Sequence, residues 1–201
     1  MSELTIKNGK FVTSAVNRKS WPEPGPDEVA FVGRSNVGKS SLINALTNQR
    51  KLAKTSSTPG RTQLINFYSL NHDAFRFIDL PGYGYAKAPV SIKATWGKMI
   101  EEYLYNRPTL KLVVNIFDLR RELSQADLNL MFWLTQIPRQ VMIIFTKADK
   151  YSKGAALARL NQLKPIVTAF DDSPLLFSSL SGMGKKEILE KMKCFLDSIG
   201  E

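Results

Sequence analysis

From Glu28 onward, short apolar runs alternate with longer stretches whose apolar residues recur every three or four positions. The runs Val29–Val32, Leu64–Leu70, Phe75–Ile78, Leu112–Asp118, Val141–Phe145 and Leu175–Phe177 predict strands. Residues 39–47, 91–106, 124–136, 154–170 and 185–199 predict helices. In the last of these, Ile188, Met192, Phe195 and Ile199 fall on one helix face, which marks a core stripe. Only a short turn, Asn71–Ala74, separates the second and third strands, so these two are expected to form an antiparallel hairpin. The other strands alternate with helices, which implies parallel pairing through right-handed crossovers. The expected fold class is α/β: a three-layer sandwich whose mostly parallel sheet has one antiparallel edge strand. Residues 1–27 show neither period, and Trp21-Pro22-Glu23-Pro24-Gly25-Pro26 is incompatible with helix. They are expected to be an irregular approach segment leading into a single domain over 28–201, with no internal repeat.

At 201 residues and 43% hydrophobic content, the chain can bury a full core without staples. Cys194 is the only cysteine, so no intramolecular disulfide is available; beside Phe195 it is expected to pack rather than react. The only histidine, His72, sits in the Asn71–Ala74 turn, and an exposed position is expected for it. The opening MSELTIKNGKF has no apolar signal region, and no run approaches the roughly 20 apolar residues of a membrane span. A cytoplasmic, soluble monomer without a membrane partner is expected. The net charge of +10 favours polyanionic partners, against the plain alternative of a solvated basic surface.

Open α/β sheets bind ligands beyond the carboxyl ends of their strands. Every suggestive motif in the chain falls there. Gly33-Arg34-Ser35-Asn36-Val37-Gly38-Lys39-Ser40 fits G-x-x-x-x-G-K-[ST] between a strand and a helix, with Ser41 following in the helix. Glycines let the backbone wrap phosphates with N–H groups pointing inward, and the helix N-terminus adds positive potential. Lys39 would reach the β- and γ-phosphates, and the Ser40 hydroxyl would ligate magnesium. Asp79-Leu80-Pro81-Gly82 closes the third strand. Its carboxylate would hold magnesium through water, and the Gly82 N–H would meet the γ-phosphate. Asp-x-x-Gly alone is a common turn; its place after a phosphate loop gives it meaning.

Thr146-Lys147-Ala148-Asp149 follows the fifth strand. A carboxylate at Asp149 can accept from both N1–H and the exocyclic amine of guanine, whereas adenine would leave it unpaired. That difference selects GTP and GDP over adenine nucleotides. The Lys147 stem would cover the base. Thr146 stands where asparagine is usual; its hydroxyl can still bridge to the phosphate loop. Ser178-Ser179-Leu180 occupies the place where Ras-like proteins carry a Ser-Ala-Lys loop, and its backbone N–H would address guanine O6. A threonine sensing the γ-phosphate belongs between the first helix and the second strand, where Thr55, Thr58 and Thr62 all lie. Spacing to the strand favours Thr62 within Gly60-Arg61-Thr62-Gln63-Leu64, with loop capping for the other two. Lys39, Thr62 and Gly82 are thus the residues expected to act on the γ-phosphate.

These motifs, with Asp79-Leu80-Pro81-Gly82-Tyr83-Gly84-Tyr85-Ala86 and Gly60-Arg61-Thr62-Gln63-Leu64-Ile65-Asn66-Phe67, resemble the EngB family of bacterial TrmE–Era-type GTPases over nearly the whole chain. The resemblance implies a Ras-like P-loop G domain and a cytoplasmic, magnesium-dependent GTPase that assists assembly of the large ribosomal subunit and is needed for normal cell division and septation. Ras-like proteins place a water-orienting glutamine after the Asp-x-x-Gly glycine; here the residue is Tyr83, so slow unaided hydrolysis is expected. Relatives that use potassium carry an asparagine at the position of Asn36, which makes K+ there a candidate against a mere bracing role.

Two rival readings remain. A P-loop metabolic kinase shares Gly33–Ser40, but Asp149 in its context and Gly82 argue against it. A nucleotide-gated recruitment module in division would make turnover incidental. Lys51, Lys54, Arg61, Lys87, Lys93, Arg120 and Arg121 lie near the motifs and could touch RNA, although no dedicated RNA-binding signature is present.

Overall fold

The computed structural model describes residues 4–54, 64–83 and 90–197, and of 90–96 the backbone only. Strands β1 (Gly9–Ala15), β2 (Glu28–Gly33), β3 (Ile65–Leu70), β4 (Phe75–Asp79), β5 (Leu110–Asp118), β6 (Gln140–Thr146) and β7 (Leu175–Leu176) form one sheet in the order β1-β3-β4-β2-β5-β6-β7. Helices α1 (Lys39–Leu46), α2 (Val90–Asn106), α3 (Gln125–Leu134), α4 (Lys153–Val167) and α5 (Lys185–Asp197) cover its two faces. The pairs β4–β2, β2–β5, β5–β6 and β6–β7 are parallel. Antiparallel pairing is confined to one edge, as expected.

β2, β5 and β6 carry side chains that are buried on both faces because helices lie on both sides. On one face Val29, Phe31, Leu112 and Val114 pack under Leu42 and Leu46 of α1 and Ile188 and Met192 of α5. The opposite residues Ala30, Val32 and Val113 meet Ile100, Tyr103 and Leu104 of α2. Farther along, Ile143 and Phe145 pack with Ala156, Leu163 and Val167 of α4. Among the described residues no helix is long and apolar enough to cross a membrane.

Two sequence expectations need correction. Residues 1–27 are not wholly irregular: β1 pairs with β3 from Gly9↔Leu70 to Ala15↔Ile65, with a register shift between Phe11 and Thr13. Phe11 and Val12 are both exposed, so neither period-two alternation nor burial marks this edge strand. Cys194 is exposed on α5 rather than packed. His72 is exposed in the β3–β4 turn, as expected, where Asn71, His72 and Asp73 all have positive φ.

The remainder of the approach segment is anchored to the base of the sheet. Glu28, fully buried at the start of β2, accepts two hydrogen bonds from Arg107, at 2.6 and 2.7 Å, and one from the Tyr103 hydroxyl at 2.5 Å. Arg107 also donates to the Pro22 carbonyl at 2.9 Å, and Trp21 packs edge-on against Tyr103.

Candidate functional site

Four parallel strands end on the same side of the sheet. Their last residues, Gly33, Asp79, Asp118 and Thr146, deliver the sequence-predicted motifs to one edge. Gly38 takes φ +109 as it caps α1, a left-handed backbone that a side chain would strain. The first helical residue, Lys39, is buried and forms an ion pair with Asp79. Ser40 follows, partly exposed. This places one neutral oxygen and one carboxylate beside the phosphate loop, a donor set suited to Mg2+, which completes its shell with substrate phosphates and water.

Gly82 and Tyr83 run against the loop. Ser35 N–H donates to the Tyr83 carbonyl at 3.0 Å, Tyr83 N–H donates to the Gly33 carbonyl at 3.3 Å, and the Ser35 hydroxyl donates to the Gly82 carbonyl at 3.3 Å. A Cβ on Gly82 would lie 3.0 Å from Ser35 N and Cα, so only glycine permits this approach without displacement. The Tyr83 phenol donates to Asp127 at 2.8 Å. Burial, with the Asp127 carboxylate beside it, pushes the phenol pKa upward, so it remains a proton donor. Asp127 in turn accepts from the Ser124 N–H and hydroxyl at 2.7 and 2.6 Å, closing a capping box at the start of α3. Tyr83 is therefore engaged away from any water-orienting role in this form.

The 146–149 segment is tied to the loop that precedes α1. The Thr146 hydroxyl lies 2.6 Å from the Val37 carbonyl and 3.0 Å from that of Phe117, so the bridge to the phosphate loop expected of this threonine exists. Lys147, at φ 62, donates to the Asn36 carbonyl at 2.8 Å and to Asp118 at 2.9 Å. Asp149 Oδ1 accepts from the Ser178 hydroxyl at 2.8 Å, which holds its pKa below the ordinary value. Ser178, fully buried, also accepts from the N–H groups of Leu180 and Ser181 at 3.2 Å. One hydroxyl thus joins the 146–149 and 178–180 segments. Ala148 N–H bonds to the Phe177 carbonyl, Ser179 and Leu180 are exposed, and Leu80 and Pro81 are buried behind the turn.

The structure brings Gly33–Ser41, Leu64, Asp79–Gly82, Thr146–Asp149 and Ser178–Leu180 to this end of the sheet. Thr55, Thr58, Gly60, Arg61, Thr62 and Gln63 lie outside the described residues, as do residues 84–89 and the side chain of Lys93.

Two carboxylates escaped the sequence reading. The Ser124-x-x-Asp127 capping signature was a usable signal for the Tyr83 partner. Asp118 carried only the weaker hint of a carboxylate at a strand end. Asp118 is buried, which raises a carboxyl pKa, but hydrogen bonds from Arg120 and Lys147 prevail and hold it at about 2. That value lies below the ordinary 3.8, so the contribution to stability is complete above about pH 4 and lost as pH falls toward 2. Asp118→Asn is expected to lower stability at neutral pH by about 1–2 kcal/mol, allowing for solvent screening at exposed Arg120. Urea unfolding of both proteins should show this gap narrowing from pH 4 downward; a gap independent of pH would remove the ion-pair account.

The pattern of the family described as 50S ribosome-binding GTPase matches residues 28–147. The relative named "Probable GTP-binding protein EngB", from Syntrophus aciditrophicus, is 48% identical over 190 residues, 94% of this chain and 96% of the relative. Among solved structures, one described as "a probable GTP-binding protein engB" shares the fold at TM-score 0.68 and 21% identity, covering 85% of this chain and 99% of its own. Era solved with MgGDPNP and nucleotides 1506-1542 of 16S ribosomal RNA aligns at TM-score 0.68 and 18% identity, covering 86% of this chain and 57% of its own.

Proposed function

The chain belongs to the EngB family of GTP-binding proteins and is a GTP hydrolase, and from that premise we propose that it is a magnesium-dependent switch that assists assembly of the large ribosomal subunit. The observation that carries the site reading is the Thr146 bridge to Val37, which joins a guanine-selecting loop to a phosphate loop as one unit. In this reading Gly33–Ser41 cradle the phosphates. Lys39 leaves its ion pair with Asp79 for the β- and γ-phosphates. Ser40 and Thr62 would hold Mg2+, with Asp79 reaching it through water, and the bound metal would supply neutralisation of phosphate charge. Gly82 N–H and Gly60–Leu64 read the γ-phosphate. Asp149 pairs with the guanine edge, Lys147 covers the base, and Ser178–Leu180 approach O6. The Asp149–Ser178 bond favours this over the metabolic-kinase reading.

Hydrolysis transfers the γ-phosphoryl group to water, and Lys39 and Gly82 stabilise the charge that develops. With Tyr83 engaged on Asp127, turnover of the isolated protein is expected to be slow. Asn36 is the candidate side chain for a K+ ion. The domain is taken as residues 28–201, with the approach segment lending it β1. A cytoplasmic monomer with a role in cell division and septation completes the proposal. The net charge of +10 and the family description support a ribosomal RNA partner.

The test pairs turnover with pelleting. Large subunits should carry the protein down with GTP or a non-hydrolysable analogue at least about tenfold better than with GDP, a differential of about 1.4 kcal/mol. Equal pelleting in both states would leave binding but remove the switch. Turnover measured in potassium and in sodium chloride at equal ionic strength should be faster in potassium; equal rates would return Asn36 to bracing.

A further inference from the structure

Ion pairs divide the basic residues sharply, those that sequence proximity suggested for RNA among them. Arg120 and Arg121 are drawn to Asp118, as is Lys147. Lys7, Lys10, Arg50, Lys51 and Lys54 are exposed and enter no ion pair among the described residues. No acidic residue occurs between Lys7 and Trp21, or between Thr47 and Lys54. These two segments meet: the Gln49 side chain donates to the Gly9 carbonyl at 3.0 Å, fixing the end of α1 against β1. Between them lies an open groove of about 530 Å³, lined by Gly9–Phe11 and Gln49–Leu52.

Phe11 stands in this groove's wall with 52% of its surface exposed. Its ring meets Tyr68 edge-on, with centroids 6.0 Å apart and planes at 62°, so the ring is braced. A braced, half-exposed aromatic ring among exposed cations that form no ion pair, although Lys10 feels the Asp73 carboxylate, is the pairing that holds a base by stacking and its backbone by phosphate contacts. A protein strand added to the free edge of β1 is the competing occupant. The register shift between Phe11 and Thr13 interrupts the template such a strand needs, and Lys10 charges the edge.

We propose that this groove binds single-stranded RNA, with a base stacked on Phe11 and phosphates held by Lys10, Arg50 and Lys51. The proposal rests on the ribosomal reading only for the source of that RNA. The groove lies at the far end of α1 from the phosphate loop, about 12 Å along the helix, so its occupation is separable from nucleotide binding.

The experiment uses the full chain with GDP and a labelled oligouridine, read by fluorescence anisotropy at salt between about 50 and 200 mM. The triple reversal Lys10→Glu, Arg50→Glu and Lys51→Glu should weaken binding more than a hundredfold and flatten the logarithmic salt slope by about 2, three contacts at about 0.7 each. Phe11→Ala should cost about tenfold and Phe11→Trp should restore it. GTP affinity and the melting temperature should hold in each variant. Unchanged RNA binding by the triple variant, or an RNA duplex bound as tightly as the single strand, would overturn the proposal. So would ribosome pelleting that ignores charge reversal but is lost in Val12→Pro, which would mark a protein strand at the edge. If the parent protein fails to pellet with large subunits, the ribosomal reading falls while the oligonucleotide result still decides the groove.

Discussion

Replacing Asp149 with Asn is expected to weaken GTP binding by about a thousandfold or more and to make xanthine nucleotides the preferred ligands. The side chain stands in a short turn directly after β6, in register with Ser178 beyond β7. The Ser178 hydroxyl occupies one of its acceptor positions, and Lys150 approaches the other oxygen at 3.3 Å. Both favour the ionised form, so at neutral pH the group only accepts hydrogen bonds. Guanine offers two N–H donors on adjacent atoms to match it. An amide in its place would turn a donor toward the guanine amine, leaving two donors face to face. Sites built on buried hydrogen bonds reject a mismatched partner by about 10⁴–10⁵. The 2-oxo group of xanthine accepts from that same amide, which reverses the preference. Ser178→Ala provides the control: the carboxylate remains but loses its brace, so affinity should fall about tenfold with guanine still preferred. Titration with labelled GDP and XDP checks both. Retained GTP affinity in Asp149→Asn would detach this residue from base recognition.

The elements legible in the sequence were those whose physics is local or doubly enforced. β2, β5 and β6 are buried on both faces and write themselves as dense apolar runs, broken in the middle of β5 only by Asn115. The motifs at their ends stood out because a phosphate loop needs glycine, lysine and serine in one order. β1 left no such trace: it pairs on one side only, it bulges, and its aromatic ring faces solvent. Asp118 was nearly as silent: Arg120 lies only two positions on, but the second cation that fixes its role is brought to it by tertiary geometry. Lys147 is 29 positions away in sequence, and the Asn36 carbonyl it also holds is 111 positions from it. Thr146 illustrates a middle case. Its residue type foretold a bridge to the phosphate loop, but only the fold names the acceptor as Val37. The same gap explains the RNA candidates. Charge can be counted along a chain, whereas neutralisation by Asp118 is visible only after folding.

Arg107→Ala is expected to destabilise the fold by about 3–5 kcal/mol, a large share of the roughly 5–15 kcal/mol that holds a domain together. Glu28 is fully buried at the start of β2, and Arg107 supplies both parallel hydrogen bonds to its carboxylate. Arg76 stands farther off, at 3.9 Å, and is committed to Asp73. Truncating Arg107 leaves one Tyr103 hydroxyl to satisfy a buried charge, and it also frees the Pro22 carbonyl that ties the approach segment down. The cation over the Phe67 ring, 5.8 Å from its centre, disappears as well. The pair is costly to break but not costly to replace. Substituting both partners, Glu28→Met with Arg107→Met, removes the stranded charge and should recover more than half of the loss. Glu28 lies at the opposite end of β2 from Gly33, so nucleotide affinity should persist wherever the variants remain folded. Urea unfolding of the parent, Glu28→Met, Arg107→Met and the double variant gives the cycle, with Arg107→Ala measured beside it. A double variant no more stable than Arg107→Ala would mean that Arg107 acts through packing and the Pro22 contact, not through the charge it satisfies.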